Sequence, residues 1–273
     1  MQTKIISSIF FLFFTIATFA QQHRLEKIWE TDSIVAIPES VLYSPSDDLL
    51  YISLIDGSPW EADGKGGVAT LKSDGTDYNA DWITGLNAPK GMGIFDGKLY
   101  VADLSDVVVI NIEKGEIENK IHVDGAEGLN DITIDNGIIY VSDSRKGQVW
   151  KIEGTSPALL LDNAQGINGL KFLGDDLYLG LGKSFKKMDK NKTQKNIAEV
   201  TEGIDGIEPT GTGDFILTSW VGLIYYVHAD GKVEQLLDSR EKMNSADLGF
   251  NEEKQILYVP TFNSKKIVAY SLK

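Results

Sequence analysis

Short runs of alternating apolar and polar residues recur along the chain after its first twenty residues. The clearest example runs from Glu127 to Glu153, where the segments DITI, IIYVSDS and QVWKIE are separated by DNG and RKG. Val, Ile, Tyr and Trp in alternation favour pleated strands, and Asn136-Gly137 supplies the φ > 0 pair of a tight hairpin. One such three-stranded unit cannot bury both its faces, so the pattern predicts further copies.

Six copies are present. We index each copy by the position equivalent to Asn130, and the index residues are Glu39, Lys90, Asn130, Asn168, Asp205 and Ala246. Their spacings of 51, 40, 38, 37 and 41 residues give a period that is typical of β-propeller blades. No long segment has the 3.6-residue periodicity of a helical repeat. The sequence therefore predicts an all-β protein, a six-bladed β-propeller.

The ends of the chain indicate how the ring closes. Residues 24–32, RLEKIWETD, form an extra strand before the first copy, whereas the last copy ends at Lys273 after three strands. An open sheet edge is a liability for any β protein. We therefore predict that the N-terminal strand closes the last blade as its outer strand.

The first twenty residues, MQTKIISSIFFLFFTIATFA, have one Lys, an apolar run and a small residue before Gln21. This pattern predicts a signal peptide over residues 1–20, followed by a single propeller domain over residues 21–273. We accordingly expect a periplasmic or secreted protein that has no membrane association after signal removal. The chain contains no Cys, which excludes disulfides, thiolate nucleophiles and Cys-ligated metals.

The chain is strongly acidic, with 26 basic and 40 acidic residues and a formal net charge of −14. Removal of the leader, which holds one Lys and no acidic residue, leaves −15. Such a chain repels phosphate backbones, so we exclude nucleic acid as a partner. Acidity also concentrates cations, which permits calcium binding without establishing it.

The index residues carry the candidate chemistry because the first strand of each propeller blade lines the central channel. Two carboxylates and two carboxamides at one mouth of the channel form a set of hard oxygen donors, suited to Ca²⁺, Mg²⁺ or Mn²⁺. The absence of His and Cys from this set argues against a preference for zinc, although we keep Zn²⁺ as an alternative. The simpler interpretation is a hydrated channel whose polar lining binds only water.

Four motifs at these positions resemble the senescence marker protein, gluconolactonase and luciferin-regenerating-enzyme-like family of six-bladed propellers. They are IPESVLYSP at Glu39, LNDIT at Asn130, INGLKF at Asn168 and IDGIEP at Asp205. The resemblance implies that Glu39, Asn168 and Asp205 hold a metal, with Asn130 meeting the substrate or a metal-bound water. Two positions depart from the family pattern: Ser40-Val41 replaces Gly-Pro, and Gly128-Leu129 stands where sugar-lactone members often have an arginine.

The first functional hypothesis is an exported, calcium-dependent hydrolase of a lactone or related cyclic ester. Asp205 would act as the general base, directly or through a metal-bound water, and Asn130 would orient the ring. The other predicted substrate contacts are Lys90, Asp131 and Trp220. We expect a small-molecule substrate and a monomer. The alternative is a non-catalytic propeller that binds a ligand or partner and uses the metal structurally, because fold alone does not decide function.

Three further features are less specific. The insertion around Trp60 in the first copy predicts either a solvated hairpin or a lid over the channel mouth. Asp103 and Asp143 follow second strands and are best explained as turn-forming residues, with a position beside the site as the alternative for Asp143. The three histidines, His23, His122 and His228, occupy unrelated positions and are predicted to be ordinary surface or strand residues.

Overall fold

Six four-stranded antiparallel sheets form the fold. The computed structural model describes residues 23–273, and each sheet uses strands that are adjacent in sequence, except at the ring closure. The structure thus confirms the six-bladed β-propeller. The predicted signal peptide, residues 1–20, lies outside the described residues. Within the described range, no helix has the length and apolar character needed to cross a membrane.

Strands are numbered in chain order, and each blade begins with its innermost strand. Blades one and two consist of β2 (Pro38–Ser44), β3 (Leu49–Leu54), β4 (Gly66–Lys72), β5 (Asn79–Leu86), β6 (Pro89–Phe95), β7 (Lys98–Asp103), β8 (Asp106–Asn111) and β9 (Glu116–His122). Blades three and four consist of β10 (Leu129–Asp135), β11 (Ile138–Asp143), β12 (Gln148–Glu153), β13 (Ser156–Leu161), β14 (Ile167–Leu173), β15 (Asp176–Leu181), β16 (Ser184–Met188) and β17 (Gln194–Glu199). Blades five and six consist of β18 (Ile207–Pro209), β19 (Phe215–Ser219), β20 (Leu223–Val227), β21 (Val233–Asp238), β22 (Gly249–Asn251), β23 (Ile256–Pro260), a 3₁₀ turn (Phe262–Ser264), β24 (Ile267–Leu272) and β1 (Leu25–Glu30).

The ring closes through the N-terminal strand, as the sequence predicts. The order in the sixth blade is β1-β24-β23-β22, with Leu25 opposite Leu272 and Glu30 opposite Val268. The strand therefore covers the outer edge of β24, which would otherwise present unpaired backbone groups to solvent.

The hydrophobic core is divided among the blade interfaces. Six apolar clusters lie in the described chain, and each contains residues from two neighbouring blades. At the closing interface, for example, Val41 and Ile52 of blade one pack with Tyr258 and Ala269 of blade six. A blade thus buries its two faces only against its neighbours, which explains why a single copy would not be stable alone.

The innermost strands approach one another closely around the channel. Registers shift in β2, β6, β10 and β14 at their first residues, and such bulges redirect side chains. A glycine follows the index residue in three blades. A Cβ on Gly169 would lie 2.3 Å from the carbonyl oxygen of Asp205, and one on Gly206 would lie 2.5 Å from Oδ1 of Asp247. These glycines permit close approach of neighbouring strands.

We expect Gly169→Ala to destabilise the protein by about 1–3 kcal/mol, because the new methyl group forces β14 away from the chain at Asp205. Thermal unfolding followed by circular dichroism measures the effect. The matched control is Gly203→Ala, where the nearest heavy atom to an added Cβ is 4.0 Å away. Equal melting temperatures for the two variants would show that the close approach is not constraining.

Candidate functional site at the channel mouth

The index residues lie together at one end of the channel. Four of them are the second residue of their inner strand, in β2, β6, β10 and β14, and the other two precede β18 and β22. The structure therefore brings together the residues that the sequence pattern aligned. Their side chains are buried or nearly so: Glu39, Lys90, Asn130, Asn168, Asp205 and Ala246.

Two carboxylates dominate the electrostatics of this mouth. Glu39 and Asp205 are 6% and 4% exposed. Burial, and then the charge of Asp205, raise the pKa of Glu39 well above its usual value, although Lys90 opposes the shift. Burial and the nearby Asp247 raise the pKa of Asp205 to about 8. Closely spaced buried carboxylates of this kind hold a proton or a cation near neutral pH.

Two oxygen atoms at the mouth have no hydrogen-bond partner within the described residues: Oε2 of Glu39 and Oδ1 of Asn168. The amide nitrogen of Asn168 donates to Oδ1 of Asp205 over 2.6 Å, which places the Asn168 oxygen beside the same carboxylate. Buried oxygens normally find donors. Unpartnered oxygens on two predicted ligands, next to the third, are therefore compatible with a cation.

A second acidic layer lies one residue further along the inner strands, and sequence reasoning missed half of it. Asp131 was a predicted substrate contact, whereas Asp247 was not predicted, because alignment placed its neighbour Ala246 at the index position. Burial raises the pKa of Asp247 to about 7, despite a hydrogen bond from Ser40. Asp131 accepts backbone N–H groups of Ile132 and Leu170 over 2.7 and 2.6 Å.

Asp131 is consequently occupied in tying blade three to blade four. Its two oxygens each accept a backbone donor, and its side chain is 6% exposed. Burial and then the charge of Asp247 raise its pKa well above the usual value. Asn130, by contrast, uses its amide nitrogen to donate to Oγ of Ser144 over 2.7 Å. That bond fixes the orientation of the Asn130 side chain at the mouth.

Lys90 anchors a loop of the first blade. Its Nζ donates to the carbonyl oxygens of Pro59 and Ala88, both over 2.9 Å, and lies 4.4 Å from the centre of the Trp60 ring. Burial lowers the pKa of Lys90, while Glu39 and Asp103 act in the opposite direction. Lys90, a predicted substrate contact, therefore binds the inserted loop directly.

The inserted loop reaches across the mouth. Trp60 belongs to blade one, contacts Lys90 of blade two, and lies 5.7 Å from the Arg145 guanidinium of blade three. A Cβ on Gly128 would meet both Arg145 and the Trp60 ring, at 2.5 and 2.8 Å. A residue larger than glycine would displace this contact. The geometry favours the lid interpretation of the insertion over a solvated hairpin.

We expect Lys90→Met to release this loop, because the variant keeps the side-chain length but loses the ammonium donor to Pro59. Cleavage by chymotrypsin at Trp60 should accelerate several-fold, since proteolysis reports local opening. Lys65→Met, on the same loop but with a 64% exposed side chain, provides the control. Equal cleavage rates for both variants and the wild type would mean that Lys90 does not hold the loop.

The opposite side of the mouth presents a second aromatic wall. Trp220 follows β19 and is 44% exposed, so it lies at the rim and not in the buried core between blades. Its ring packs edge to face with Phe262 of blade six, with a centroid distance of 5.7 Å. Asn244 donates to the Trp220 carbonyl oxygen over 2.9 Å and fixes the backbone beneath it. A flat apolar ligand face could stack here.

Below the acidic layers the channel is closed by an ion pair. Nζ of Lys171 lies 2.6 Å from a carboxylate oxygen of Glu208, in a region whose cavity measures only about 20 Å³. A wider cavity of about 450 Å³, lined partly by Lys171 and Phe172, opens at the far end of the channel. The index residues line neither cavity, and the Trp60 ring lies over one of them, Lys90.

Asp103 and Asp143 organise loops, as the sequence interpretation proposed. Asp103 accepts the backbone N–H groups of Asn87 and Ala88. Asp143 accepts those of Glu127 and of the Arg145 turn. Both carboxylates are at most 1% exposed, and they shape the loops that precede Lys90 and Asn130.

Comparisons with known proteins show the fold. No protein-family model matches the chain, and no curated protein matches it by sequence. A gluconolactonase from Xanthomonas campestris has a similar structure, with a TM-score of 0.69 and 14% identity over 93% of this chain and 96% of that one. A catalytically inactive virginiamycin B lyase from Staphylococcus aureus, solved with quinupristin, gives 0.64 and 13% over 92% and 99%. A chain of a nidogen/laminin complex gives 0.65 and 12% over 76% and 86%.

These similarities concern the fold and not the chemistry of the channel mouth. The inactive lyase variant carries a histidine-to-alanine change, whereas the three histidines of this chain lie on outer strands or an adjoining turn and not among the index residues. The gluconolactonase shares the six-bladed architecture. At these identities each neighbour supports the propeller fold and nothing finer.

Proposed function

We propose that the protein is a calcium-dependent hydrolase of a lactone or related small cyclic ester. The observation that carries the proposal is the pair of unpartnered buried oxygens, on Glu39 and Asn168, beside Asp205. The gluconolactonase among the structural neighbours supports the choice of a lactone as substrate class. The leader-like first twenty residues support an exported location, in the periplasm or outside the cell.

The donor set fits a hard divalent cation. Glu39 and Asp205 would contribute carboxylate oxygens and Asn168 a carboxamide oxygen, which are ligand types that Ca²⁺ prefers. Glu39 and Asn168 lie on inner strands and Asp205 lies directly before one, in three different blades, so the backbone holds the ligands in place before a cation arrives. When bound, the cation would polarise the ester carbonyl and stabilise negative charge on its oxygen.

The protein residues would position the substrate and move the proton. Asp205 accepts a hydrogen bond from the amide of Asn168 over 2.6 Å, which holds its carboxylate at the mouth, where it would accept a proton from the attacking water. Asn130 is oriented by Ser144 and would hold the ring of the substrate. Lys90 contributes positive charge near Glu39 and keeps the Trp60 loop over the mouth.

The pH dependence of stability follows from the same carboxylates. Without metal, the folded state retains protons that the unfolded chain has released, since the pKa of Asp205 is raised to about 8 and that of Asp247 to about 7. Stability should therefore fall as the pH rises from about 4 towards about 8. Calcium would replace the proton on its ligand Asp205, so the increase in melting temperature on adding calcium should grow with pH.

Differential scanning fluorimetry at several pH values, with EDTA or with calcium, measures how the melting temperature of the metal-free protein changes with pH. It also measures how the calcium-induced increase changes with pH. Asp175→Asn, at an exposed turn in blade four, should behave as the wild type. A calcium effect that is the same at pH 5 and pH 8.5 would contradict the proposed ligands.

The direct test of the function is calcium-dependent proton release from a panel of sugar, aryl and aliphatic lactones. No turnover, with calcium-dependent stabilisation intact, would favour a binding propeller with a structural metal.

A further inference from the structure

A second cluster of ligating side chains lies at the seam where the propeller closes. His23 immediately precedes the closing strand of blade six, while His228 and Glu234 flank the turn between β20 and β21 of blade five. One donor atom from each of the three residues lies within 4.8 Å of the others. His23 is 205 positions from His228 and 211 from Glu234, so sequence position gave no reason to group them.

The cluster lies at the opposite end of the blades from the channel mouth. Inner strands begin at the mouth and successive strands alternate in direction, so the β20–β21 turn is at the far end. Leu25, the first residue of β1, pairs with Leu272 at the end of β24, which is also the far end. The cluster is therefore separate from Glu39, Asn168 and Asp205.

We propose that His23, His228 and Glu234 form a transition-metal site, of the zinc class, that fastens the closing strand to blade five. Two imidazoles and one carboxylate form a common zinc ligand set, with a fourth position left for water. The wholly oxygen-based set at the channel mouth prefers calcium. The two sites would thus take different metals.

The distances suit such an ion. Nδ1 of His23 lies 3.2 Å from Oε2 of Glu234, and Nε2 of His228 lies 2.9 Å from Oε1. Ligand atoms around a tetrahedral zinc, at bond lengths of 2.0–2.1 Å, are roughly 3.3 Å apart. Since the three donor atoms lie within 4.8 Å of one another, closing to this spacing requires side-chain movements of at most about 1.5 Å.

The surroundings hold the ligands in place. The His23 ring stacks on Tyr226, with centroids 3.7 Å apart and planes inclined by 12°. The backbone N–H of His23 also donates to Glu234 over 3.0 Å. On the far side of the His228 ring, Nδ1 lies 3.8 Å from a carboxylate oxygen of Asp214. At 3.8 Å this is an electrostatic contact and not a hydrogen bond, and the same Asp214 oxygen accepts the hydroxyl of Tyr226 over 2.7 Å.

Lys232 is the competitor for this site. Its Nζ lies 2.8 Å from Oε1 of Glu234, and its side chain is 55% exposed. The ammonium occupies the same carboxylate oxygen that His228 contacts. Because Lys232 is exposed, it can move into solvent when a metal binds, and its removal should strengthen metal binding.

The experiment uses tag-free protein, stripped with chelator and titrated with Zn²⁺ by calorimetry, with Co²⁺ as a spectroscopic probe. The wild type should bind one equivalent of zinc at this site, show visible bands of tetrahedral Co²⁺, and melt at a higher temperature with zinc. His23→Gln and His228→Gln should each weaken zinc binding by at least about tenfold. Lys232→Met should tighten it.

The matched control is His122→Gln, which also removes a histidine beside carboxylates, Asp106 and Asp124, but in blade two. It should leave zinc binding and the cobalt spectrum unchanged. Unaltered zinc affinity in both His23→Gln and His228→Gln, or no tetrahedral cobalt bands in the wild type, would overturn the proposal and leave a hydrogen-bonded clamp. Asp205→Asn should leave the zinc affinity and the cobalt spectrum unchanged, so failure here is distinguishable from failure at the channel mouth.

Discussion

Replacing Asp205 with asparagine should abolish calcium-dependent lactone hydrolysis while making the metal-free protein more stable. We expect kcat to fall by about 10²–10⁴-fold, because the variant loses the base and a ligand charge together. The stability gain has a separate cause. Asp205 is buried close to Glu39 and Asp247, and its carboxylate raises the pKa of Glu39. An amide of the same shape removes that repulsion.

Loss of turnover and gain of stability in the Asp205→Asn variant must be measured together, because each has a separate cause. Steady-state hydrolysis and thermal unfolding in EDTA should be compared in Asp205→Asn, Asp175→Asn and the wild type. Asp175 lies in an exposed turn of blade four and makes the same chemical change without touching the mouth. A stable Asp205→Asn variant with undiminished turnover would remove Asp205 from the reaction. An unstable one would indicate that its bond from Asn168 matters more to the fold than the repulsion does.

Asp131→Ala should be among the most destabilising single substitutions in the inner ring. The change leaves the N–H groups of Ile132 and Leu170 buried without their acceptor, and each such group costs about 1–3 kcal/mol. We expect a loss of about 2–5 kcal/mol in the free energy of unfolding. Chemical denaturation with a shared m-value measures it.

Asp135→Ala, at the other end of the same strand β10, is the control. Its carboxylate accepts only an exposed bond from the side chain of Asn136, so the change should be close to neutral. Asp131→Asn, which keeps one acceptor oxygen, should fall between the two. If Asp131→Ala unfolds like the control and mainly raises KM, Asp131 is a substrate contact and its role in joining blades three and four is minor.

Much of the architecture could be predicted because each propeller blade repeats the same strand pattern and the same packing requirement. Alternating strands such as IIYVSDS, at a period near 40 residues, require neighbours on both faces, and the apolar clusters between adjacent blades supply them. The closing role of Leu25–Glu30 followed from one unpaired strand at each end of the chain. These inferences depend on pattern and count, and not on exact side-chain geometry.

For the candidate site, the sequence predicted which residues meet at one mouth but not the detailed geometry of their side chains. Alignment of copies brought Glu39, Asn168 and Asp205 to one mouth, but the local bulges of the inner strands could not be derived from a repeat pattern. Asp247 was passed over for a different reason: the alignment considered one index residue in each copy, and in the last copy that residue is Ala246. The Asp next to the index residue, in SADLGF as in LNDIT, was the available signal.

Long-range contacts between loops were beyond the sequence. Nothing in the spacing of Pro59, Lys90 and Gly128 shows that the Trp60 loop crosses from blade one to blade three. The contact depends on a buried ammonium that donates to a loop carbonyl and on a glycine that leaves space for an indole. Such pairings arise from the closed ring and are visible only in three dimensions.

The most direct measurement is lactone hydrolysis by the purified wild-type protein, followed as proton release before chelation, after chelation and after calcium is restored. The account predicts turnover of at least one sugar, aryl or aliphatic lactone that disappears with chelator and returns with calcium. Hydrolysis that continues unchanged in chelator would contradict the metal at Glu39, Asn168 and Asp205. No hydrolysis of any lactone in calcium would contradict the proposed reaction.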